Sequence, residues 1–573
     1  MINLTIDGLP VQVEEGSTVL DAASALHIHI PTLCHHPDQA VKANCRICVV
    51  ECEGLPTLIP ACAYQVFEGM AIHTNAPKVR KARMHILELI LARHAQDCLH
   101  CKRSGSCELQ AVSEAMHFVK TPRYPYRARA DADDASSPCI IRTASKCIAC
   151  GRCEYACNDI QTVHAIAKEN RGFEVNYVPA YHRPLGESVC VGCGQCVQAC
   201  PTGALTIADE IDVVWNAIGT DKTVIAQVAP SVRINLAEAL GEDPGTLSTG
   251  RLVTAMKRMG FDIVFDTDVT ADLTIMEEGT ELLGRLKNGG PLPLITSCSA
   301  GWVKFCETYY PDMLKNLSTC KSPQCMFGAL IKTYYAEKIG KDPRDILSVS
   351  VMPCTAKKFE AKRPEMGRDG YRDVDAVITV QELARMIRAA GIDFKSLPPT
   401  PFDDPFGIGT GAGEIFGATG GVMEAALRTV YEIITGETLE NIDFEQVRGF
   451  EGIKAAEIKA GDTVLKIAVA HGLGNARKLM DAVRSGEAEY HFIEIMACPG
   501  GCIGGGGNYI KTWEKMKPRL EAVYREDESL KLRKSHESPA VKALYNDFLG
   551  EPNGHKSHEL LHTGYTDRSE LLR

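Results

Sequence analysis

Apolar and polar residues alternate at the start of the chain in the pattern of a β-hairpin. Apolar side chains stand at every second position on either side of an Asp7-Gly8 pair, at Ile2, Leu4, Ile6, Val11 and Val13. An Asp-Gly pair suits a two-residue hairpin turn because both residues tolerate positive φ. Residues 76–94 instead repeat apolar side chains at helical spacing, which predicts a helix, at Val79, Met84, Ile86, Leu87 and Ile90.

The pattern changes after about residue 210. Short apolar runs of strand character alternate with helical stretches, at residues 223–229, 263–266, 347–352 and 465–469. This order predicts an α/β domain with a largely parallel sheet. Glycine-rich loops are predicted at residues 407–421 and 500–507. Neither has the glycine spacing of a dinucleotide or Walker site, which disfavours nucleotide binding in this half.

Composition narrows the class of protein. With 573 residues, 45% of them hydrophobic and 24% charged, the chain is expected to form several globular domains. A formal net charge of −11 provides no basic surface for nucleic acid. No apolar run is long enough to span a membrane, and Asp7, Glu14 and Glu15 stand where a signal peptide would be apolar. We therefore expect a cytoplasmic protein.

The 24 cysteines fall into groups, and in a reducing compartment such groups are metal ligands rather than disulfides. The first group loosely resembles plant-type [2Fe–2S] ferredoxins, with a longer first gap and a shorter last gap, at Cys34, Cys45, Cys48 and Cys62. Cys52 is interpreted as a strand residue. Three later cysteines lie in apolar helical context and are predicted to be small core residues: Cys306, Cys320 and Cys325.

The second group is one cysteine short of a cluster site and has a histidine in front of it. Its members are His94, Cys98, Cys101 and Cys107. A lone histidine is more often a surface or core residue, but imidazole can replace thiolate on an iron–sulfur cluster. The position of His94, four residues before a Cys-x-x-Cys pair, favours ligation. Residues 121–138, with prolines, arginines and an acidic run, are typical of an exposed linker.

The strongest motif is the two-cluster bacterial ferredoxin signature, written twice. It runs through Cys147, Cys150, Cys153 and Cys157, and again through Cys190, Cys193, Cys196 and Cys200 before Pro201. In this signature the fourth cysteine of each run binds the cluster of the other run. One [4Fe–4S] cluster is thus expected on Cys147, Cys150, Cys153 and Cys200, and a second on Cys190, Cys193, Cys196 and Cys157.

Three cysteine motifs stand out in the second half of the chain. They are Thr296-Ser297-Cys298-Ser299-Ala300-Gly301-Trp302, Met352-Pro353-Cys354-Thr355-Ala356-Lys357-Lys358 and Met496-Ala497-Cys498-Pro499-Gly500-Gly501-Cys502. In these motifs, and in residues 417–424, the chain resembles the iron-only ([FeFe]) hydrogenases of the long clostridial type. The resemblance covers essentially the whole chain. It implies an enzyme that interconverts H2 with protons and electrons.

The resemblance also implies the cofactor, an H-cluster. This is a [4Fe–4S] cube joined through a cysteine sulfur to a two-iron subsite with CO, cyanide and azadithiolate. Cys354, Cys498 and Cys502 match the cysteines that hold the cube, and Cys502 matches the bridging one. Lys357 matches a lysine that hydrogen-bonds a cyanide. The other residues that match the cofactor's surroundings are Ala229, Pro230, Ser231, Gln324, Met352, Phe416 and Met496.

The resemblance further implies a proton path that begins at a cysteine beside the cofactor. The matching residues are Cys298, Glu278, Ser318 and Glu281, with Arg285 near the exit. From spacing alone, Glu278 and Glu281 would be interpreted as a solvated helix face, and the resemblance reverses that interpretation. Electrons would leave one at a time through the cube and the accessory clusters.

The chain departs from the family at Ser299, where the usual motif has a second cysteine that binds the cube. Either Ser299 binds the fourth iron as an alkoxide and Cys298 relays protons, or the loop shifts and Cys298 binds the cube. The preserved register and Trp302 favour the first arrangement, and the affinity of iron for sulfur favours the second. We take Ser299 as the fourth ligand and Cys298 as the relay.

The motifs together predict a modular α+β protein of four domains. These are a β-grasp [2Fe–2S] ferredoxin-like domain (1–78), a His/Cys [4Fe–4S] domain (79–120), a two-[4Fe–4S] ferredoxin-like domain (121–209) and a large α/β H-cluster domain (210–573). The cofactors expected are one [2Fe–2S] cluster, three accessory [4Fe–4S] clusters and the H-cluster.

The partners are implied by two further resemblances. The front modules also resemble the cluster-bearing subunit of respiratory NADH dehydrogenase. Residues 498–507 and Ser299 resemble hydrogenase subunits of NAD(P)-linked, electron-bifurcating complexes. No flavin or nicotinamide site is recognisable in this chain, so a partner subunit would have to supply it. Free ferredoxin is the other candidate partner. The alternative functions are a hydrogen sensor and a non-catalytic electron-transfer subunit.

Overall fold

The computed structural model describes residues 1–118, 123–128, 132–407, 409–439, 441–461, 463–509 and 512–573. The chain forms two compact units. The first unit contains Met1–Asp159, His164–Ser188 and Ala199–Thr206, and the second contains Ile160–Val163, Val189–Gln198 and Ile207–Arg573. The predicted domain boundary at 120/121 and part of the predicted linker at 121–138 fall outside the described residues. The four-domain division stays a prediction.

The first unit begins with the predicted hairpin. Strands β1 (Ile2–Ile6) and β2 (Leu9–Val13) pair antiparallel, and both turn residues, Asp7 and Gly8, have positive φ. Helix α1 (Val19–Ala25) packs on a sheet of order β2-β1-β5-β3-β4, which is completed by β3 (Val49–Cys52), β4 (Ile59–Pro60) and β5 (Ala71–His73). Cys52 is a buried strand residue, as predicted.

Helix α2 (Pro77–Ala92) confirms the helix predicted at 76–94. It begins with Pro77, whose missing N–H has no intrahelical partner at that position. The cysteine motifs lie among the short elements that follow, which are α3 (Glu108–Ala115), β6 (Ile140–Arg142), α4 (Arg152–Tyr155), β7 (Ala167–Glu169), β8 (Asn176–Val178), α5 (Gln195–Ala199) and β9 (Leu205–Ile207).

The second unit alternates helices and strands. In chain order its elements are α6 (Ile211–Ala217), β10 (Thr223–Val228), α7 (Pro230–Ala239), α8 (Thr249–Met259), β11 (Ile263–Asp266), α9 (Asp268–Asn288), β12 (Leu294–Ile295), α10 (Ala300–Tyr309), α11 (Pro323–Leu330), α12 (Ala336–Lys338), β13 (Ile346–Met352), α13 (Ala356–Ala361), β14 (Gly367–Arg368), β15 (Tyr371–Arg372), β16 (Ala376–Thr379) and α14 (Val380–Ala389). The remaining elements are α15 (Gly411–Glu414), α16 (Gly421–Thr435), β17 (Ile453–Ala460), β18 (Thr463–His471), α17 (Leu473–Ser485), β19 (Phe492–Met496), α18 (Trp513–Ser529), α19 (Pro539–Leu544) and α20 (His555–Leu561).

Eight of these strands form two four-stranded sheets, where the sequence predicted one, and β14 and β15 form a separate antiparallel pair. The first sheet has the order β11-β10-β13-β16 and every pair in it is parallel. The second has the order β12-β19-β18-β17, with only β17 antiparallel to its neighbour. Buried aliphatic side chains cover both sheets, which explains why all four predicted strands are largely apolar. Apolar runs identify strands but not their partners.

Two further predictions need correction. The segment 407–421 is not simply a glycine-rich loop, because α15 lies inside it; residue 408 is outside the described residues. Cys306, Cys320 and Cys325 are buried core residues as predicted, but Cys320 is not helical and forms an isolated bridge with His562. Among the described residues, no helix is both long and apolar enough to cross a membrane.

Candidate active site

Four segments of the second unit begin where a parallel strand ends. Residues 229–231 follow β10, residues 296–299 follow β12, residues 353–357 follow β13, and residues 497–502 follow β19. The carboxyl ends of parallel strands are a common place for ligand sites because the loops there leave a crevice. Both sheets thus contribute to one site.

The four segments line one largely apolar cavity of about 830 Å³. All residues predicted to surround the cofactor lie on its wall: Ala229, Pro230, Ser231, Gln324, Met352, Lys357, Phe416 and Met496. The predicted cube ligands and the relay cysteine lie there too: Cys298, Ser299, Cys354, Cys498 and Cys502. Cys193, predicted as a ligand of an accessory cluster, lines the same cavity. The structure therefore brings together residues that are up to about 300 positions apart in the chain.

Ser299 and Cys298 are adjacent but have different environments. The Ser299 hydroxyl accepts a hydrogen bond from the Ala497 N–H at 3.1 Å, one residue before Cys498. Cys298 is half-buried, and burial followed by the nearby Glu278 carboxyl raises the pKa of its thiol well above the usual value. Ser299 is thus tied to the segment that carries predicted cube ligands, and Cys298 is close to the predicted proton path.

Lys357 is held by two oxygens. Its Nζ donates to the Glu360 carboxylate at 2.8 Å and to the Cys298 carbonyl at 2.9 Å. Burial disfavours the ammonium form, but the charge and hydrogen bond of Glu360, together with the nearby Cys325 and Cys354, outweigh it and raise the pKa of Lys357. Sequence reasoning missed Glu360, although its position three residues after Lys357 on α13 was a signal of an ion pair on one helix face.

Two features of the wall fit a polar inorganic group. The Ser231 hydroxyl is fully buried at the cavity and has no hydrogen-bond partner among the described protein atoms, which is rare unless a ligand supplies one. Gly501 has φ +88°, and a Cβ there would lie 2.6 Å from the Thr419 nitrogen. The backbone beside Cys502 can therefore follow its path only with glycine.

From Glu278 to Arg285, the predicted proton path is a continuous chain of hydrogen bonds. Glu278 and Glu281 lie on α9, and the Ser318 hydroxyl hydrogen-bonds the Glu278 carboxyl and donates to Glu281 at 3.3 Å. Arg285 donates to the other Glu281 oxygen at 2.5 Å. Burial raises the pKa of Glu278 to about 8, so this carboxyl holds a proton at neutral pH. A protonated Glu278 donates to Ser318, which donates onward to Glu281.

Sequence reasoning missed a branch from this chain into the C-terminal segment. The Thr319 hydroxyl lies 3.1 Å from Glu281 and 2.8 Å from His562 Nδ1. His562 Nε2 lies 3.1 Å from Glu277, whose other oxygen accepts from the Tyr545 hydroxyl at 2.6 Å. No sequence signal could have found this branch, because Glu277 and His562 are 285 residues apart.

The first-unit cysteines also converge. Cys34, Cys45, Cys48 and Cys62 interact with one another through their sulfurs, with Cys48 Sγ and Cys62 Sγ 3.4 Å apart. Cys147, Cys150, Cys153 and Cys200 line a second cavity of about 470 Å³. That is the set predicted for one [4Fe–4S] cluster. The other predicted set is divided between the units, with Cys157 in the first and Cys190, Cys193 and Cys196 in the second.

His94 is oriented as a ligand would be. Its Nδ1 lies 3.0 Å from the Lys146 carbonyl oxygen, which fixes this nitrogen as a donor and leaves Nε2 to bind metal. Burial lowers the pKa of His94, which favours the neutral imidazole. Among its predicted co-ligands, Cys101 and Cys107 are close enough for the charge of one to affect the other, and a Cβ on Gly203 would lie 2.5 Å from Cys101 Sγ.

Family models match most of the chain. Residues 222–506 match the iron only hydrogenase large subunit, C-terminal domain, and residues 514–568 match the iron hydrogenase small subunit. Residues 1–77 match a 2Fe-2S iron-sulfur cluster binding domain, residues 83–121 the NADH-ubiquinone oxidoreductase-G iron-sulfur binding region, and residues 146–207 a 4Fe-4S dicluster domain. These matches confirm the predicted [2Fe–2S] and [4Fe–4S] ferredoxin-like domains and the modular organisation, and they fit a modular α/β protein, where the sequence analysis predicted modular α+β.

Whole proteins are similar over the same range. The NADP-reducing hydrogenase subunit HndD of Solidesulfovibrio fructosivorans is 50% identical over 100% of both chains. Iron hydrogenase 1 of Clostridium pasteurianum is 41% identical over 99% of this chain and 100% of its own. A solved structure of an apo [FeFe]-hydrogenase HydA1 variant from Chlamydomonas reinhardtii covers 62% of this chain and 98% of its own, with 44% identity and a TM-score of 0.57. The chain belongs to the iron-only ([FeFe]) hydrogenases, enzymes that interconvert H2 with protons and electrons.

Proposed function

We propose that the 830 Å³ cavity holds the H-cluster and that Ser299, Cys354, Cys498 and Cys502 bind its cube. The observation that carries this proposal is the convergence, in one apolar cavity, of these donors with an ammonium group and an unpartnered hydroxyl. Three thiolates and an alkoxide suit iron, and Cys502 would bridge to the two-iron subsite. When bound, the cofactor supplies the redox and H2 chemistry.

The protein residues orient the cofactor and keep it dry. Lys357, fixed by Glu360, and the Ser231 hydroxyl are suited to hydrogen-bond the two cyanides, with Ala229 and Pro230 shaping the loop at Ser231. A charged donor in an apolar cavity interacts strongly with an anionic ligand because little water screens it. Met352, Phe416 and Met496 exclude water from the cavity, and Gln324 lines it beside them.

In this proposal protons move between the cavity and the surface through four residues, Cys298, Glu278, Ser318 and Glu281, with Arg285 near the exit. The hydrogen bonds from Glu278 to Arg285 support the order, since each group touches the next. Glu281 and Arg285 side chains are about one-tenth exposed, which suits an exit to solvent. Arg285 positions Glu281 and does not itself exchange a proton at ordinary pH.

Electrons leave through the accessory clusters. We propose one [2Fe–2S] cluster on Cys34, Cys45, Cys48 and Cys62, one [4Fe–4S] cluster on His94, Cys98, Cys101 and Cys107, and two [4Fe–4S] clusters on the ferredoxin-like cysteines, in the four domains with the boundaries predicted above. With the H-cluster, the mature chain would contain about 20 iron atoms. Iron analysis near 8 per chain, with full occupancy otherwise established, would reject this scheme.

The partner is proposed from a relative. HndD is named as a subunit of an NADP-reducing hydrogenase, and it aligns with this chain from end to end. We infer that this chain also passes electrons to NAD(P)-linked flavoprotein subunits, in the cytoplasm, rather than to free ferredoxin alone. Sizing of the native protein tests this inference, because a monomer with full ferredoxin-linked activity would contradict it.

An infrared spectrum tests the central proposal. Metal-bound CO and cyanide absorb where proteins do not, so the matured chain should show both sets of bands. Lys357→Met should shift the cyanide bands, because it removes the donor to that ligand. A control variant, Lys466→Met on the partly exposed strand β18, should leave the bands unchanged. A matured, active protein without these bands would refute the H-cluster assignment.

A further inference from the structure

Glu281, Cys320 and His562 form a cluster outside the cavity. One possible ligand atom from each residue lies within 4.8 Å of the others, and Cys320 and His562 are buried. Nothing in the proposed function uses the Cys320 thiol or the His562 ring. Sulfur, imidazole nitrogen and carboxylate oxygen are together the donor types that Zn²⁺ binds.

The backbone holds this cluster in place. Cys320 and His562 face each other in an antiparallel bridge, which brings their side chains to the same face. The bridge is fixed on both sides, since the Lys321 N–H donates to the Leu561 carbonyl at 2.7 Å and the Thr563 N–H to the Thr319 carbonyl at 2.8 Å. Tetrahedral zinc with bonds of about 2.0–2.3 Å needs donor atoms about 3.3–3.8 Å apart. The donor atoms here lie within 4.8 Å of one another, so side-chain movements of about 1 Å would bring them to zinc-binding distance.

The histidine is oriented as metal ligands usually are. Its Nε2 lies 3.1 Å from the buried Glu277 carboxylate, which also accepts from the Tyr545 hydroxyl and the Asn553 N–H. A carboxylate on one ring nitrogen fixes the proton there and leaves the lone pair of the other nitrogen, here Nδ1, free for a metal. On the Nδ1 side, the hydrogen-bond partner is the Thr319 hydroxyl, which also bonds Glu281.

The charges around the cluster also favour a cation. Glu277 and Glu281 lie along one helix, and Arg285 is paired with Glu281. Burial and the nearby Glu278 and Glu281 raise the pKa of the Cys320 thiol, so the sulfur is protonated when no metal is bound. A divalent ion would replace that proton and offset the carboxylate charge.

We propose that Glu281, Cys320 and His562 form a Zn²⁺ site, with Glu277 orienting the histidine and a water completing the coordination. Zinc displaces the Thr319 hydroxyl from Nδ1 and the proton from Cys320, and enters past Glu281, whose side chain is 12% exposed. Because Glu281 is also the outer carboxylate of the proposed proton path, bound zinc blocks proton exit and inhibits turnover. Only this inhibitory effect rests on the proposed function.

The test uses the purified full-length holoenzyme, zinc chloride as the probe, and two variants, Cys320→Ser and His562→Gln. Cys306→Ser is the control, since it removes a buried thiol that is not one of the three donors. The native chain and the control should bind one tight zinc, and each variant should bind it about 10–100-fold more weakly. The zinc X-ray absorption spectrum should show one sulfur at about 2.3 Å and lighter ligands at about 2.0–2.2 Å.

The outcomes separate the site from its effect. Zinc should inhibit H2 turnover reversibly in the native chain and the Cys306→Ser control, and not in Cys320→Ser, whose activity without zinc should match the native value. Equal zinc affinity in all four proteins, or two or more sulfurs per zinc, overturns the site. Zinc that binds as expected without inhibiting leaves the site standing and overturns the proton exit through Glu281.

Discussion

Replacing Glu278 by glutamine tests the proton path at its most perturbed carboxyl. Glutamine has nearly the same shape as glutamic acid and can still hydrogen-bond Ser318, but it cannot release a proton. Positioned acid–base groups contribute about 10²–10⁴-fold to rates, so H2 turnover should fall by at least about 10²-fold. The infrared bands of the cofactor should not change, since Glu278 does not line the cavity.

The pKa of Glu278 also predicts how stability depends on pH. Its value of about 8, against an ordinary 4.5, corresponds to at most about 5 kcal/mol at 1.36 kcal/mol per tenfold change in proton affinity. Between pH 4.5 and 8 the unfolded chain has released this proton and the folded chain has kept it. Stability therefore falls as pH rises through this window, and the loss is complete above about pH 9.

In Glu278→Gln the side chain at position 278 does not titrate, so it causes no loss of stability as pH rises. This variant should unfold at the same temperature as the native holoenzyme near pH 4.5 and at a higher temperature near pH 9. Scanning calorimetry of the second unit's transition measures the difference, and hydrogen evolution from a reduced viologen dye measures turnover. Glu457→Gln, on exposed β17, is the control for a lost carboxylate and should change neither quantity.

Two results would refute this reasoning. If the difference in unfolding temperature between Glu278→Gln and the native chain is the same at both pH values, Glu278 does not hold its proton as burial requires. If turnover stays within a few-fold of native while the infrared spectrum is intact, protons leave the cavity by another route.

Four further substitutions test the cluster sites and their surroundings. Cys298→Ala should leave the spectrum of the cube intact and abolish turnover, whereas loss of the cube in this variant would make Cys298 the ligand. Ser299→Cys should keep the cube but change its electron paramagnetic resonance spectrum. His94→Ala should alter one cluster signal and leave the others, and an unchanged set of signals would remove His94 from the ligands. Gly501→Ala should prevent loading of the two-iron subsite because its Cβ meets the Thr419 backbone, as infrared spectroscopy would detect; normal loading would contradict the steric argument.

Much of this protein could be predicted from its sequence because metal ligands have strict spacing. Cys147, Cys150, Cys153 and Cys200 were assigned to one cluster from spacing alone, and they line one cavity. Apolar runs predicted β10, β11 and β13 to within one residue and the middle of β18, since buried parallel strands need apolar side chains on both faces. Their arrangement in two sheets depends on pairing between distant segments, which no local pattern specifies.

The polar networks were the part that the sequence could not specify. Glu360 lies within one helical turn of Lys357 and could have been inferred from spacing. The Glu277–His562 contact could not, because neither residue belongs to a motif and the antiparallel bridge that joins their segments is formed by only one residue pair. Buried carboxylates attract partners from any part of the chain, so their partners are known only once the chain is folded.

The structure also bears on which of Cys298 and Ser299 faces the cube. Ser299 is in extended conformation, and successive side chains of an extended segment point to opposite sides. One of the two residues can thus face Ala497 while the other faces Glu278, as the Ser299–Ala497 hydrogen bond and the effect of Glu278 on Cys298 indicate. If Cys298 bound the cube and Ser299 relayed protons, the backbone at these two residues would have to rotate. Rotation would break the Lys357 bond to the Cys298 carbonyl and strain the neighbouring bond from Ser297 to the Cys320 carbonyl. These contacts favour a cube held by three cysteines and Ser299, with Cys298 free to relay protons.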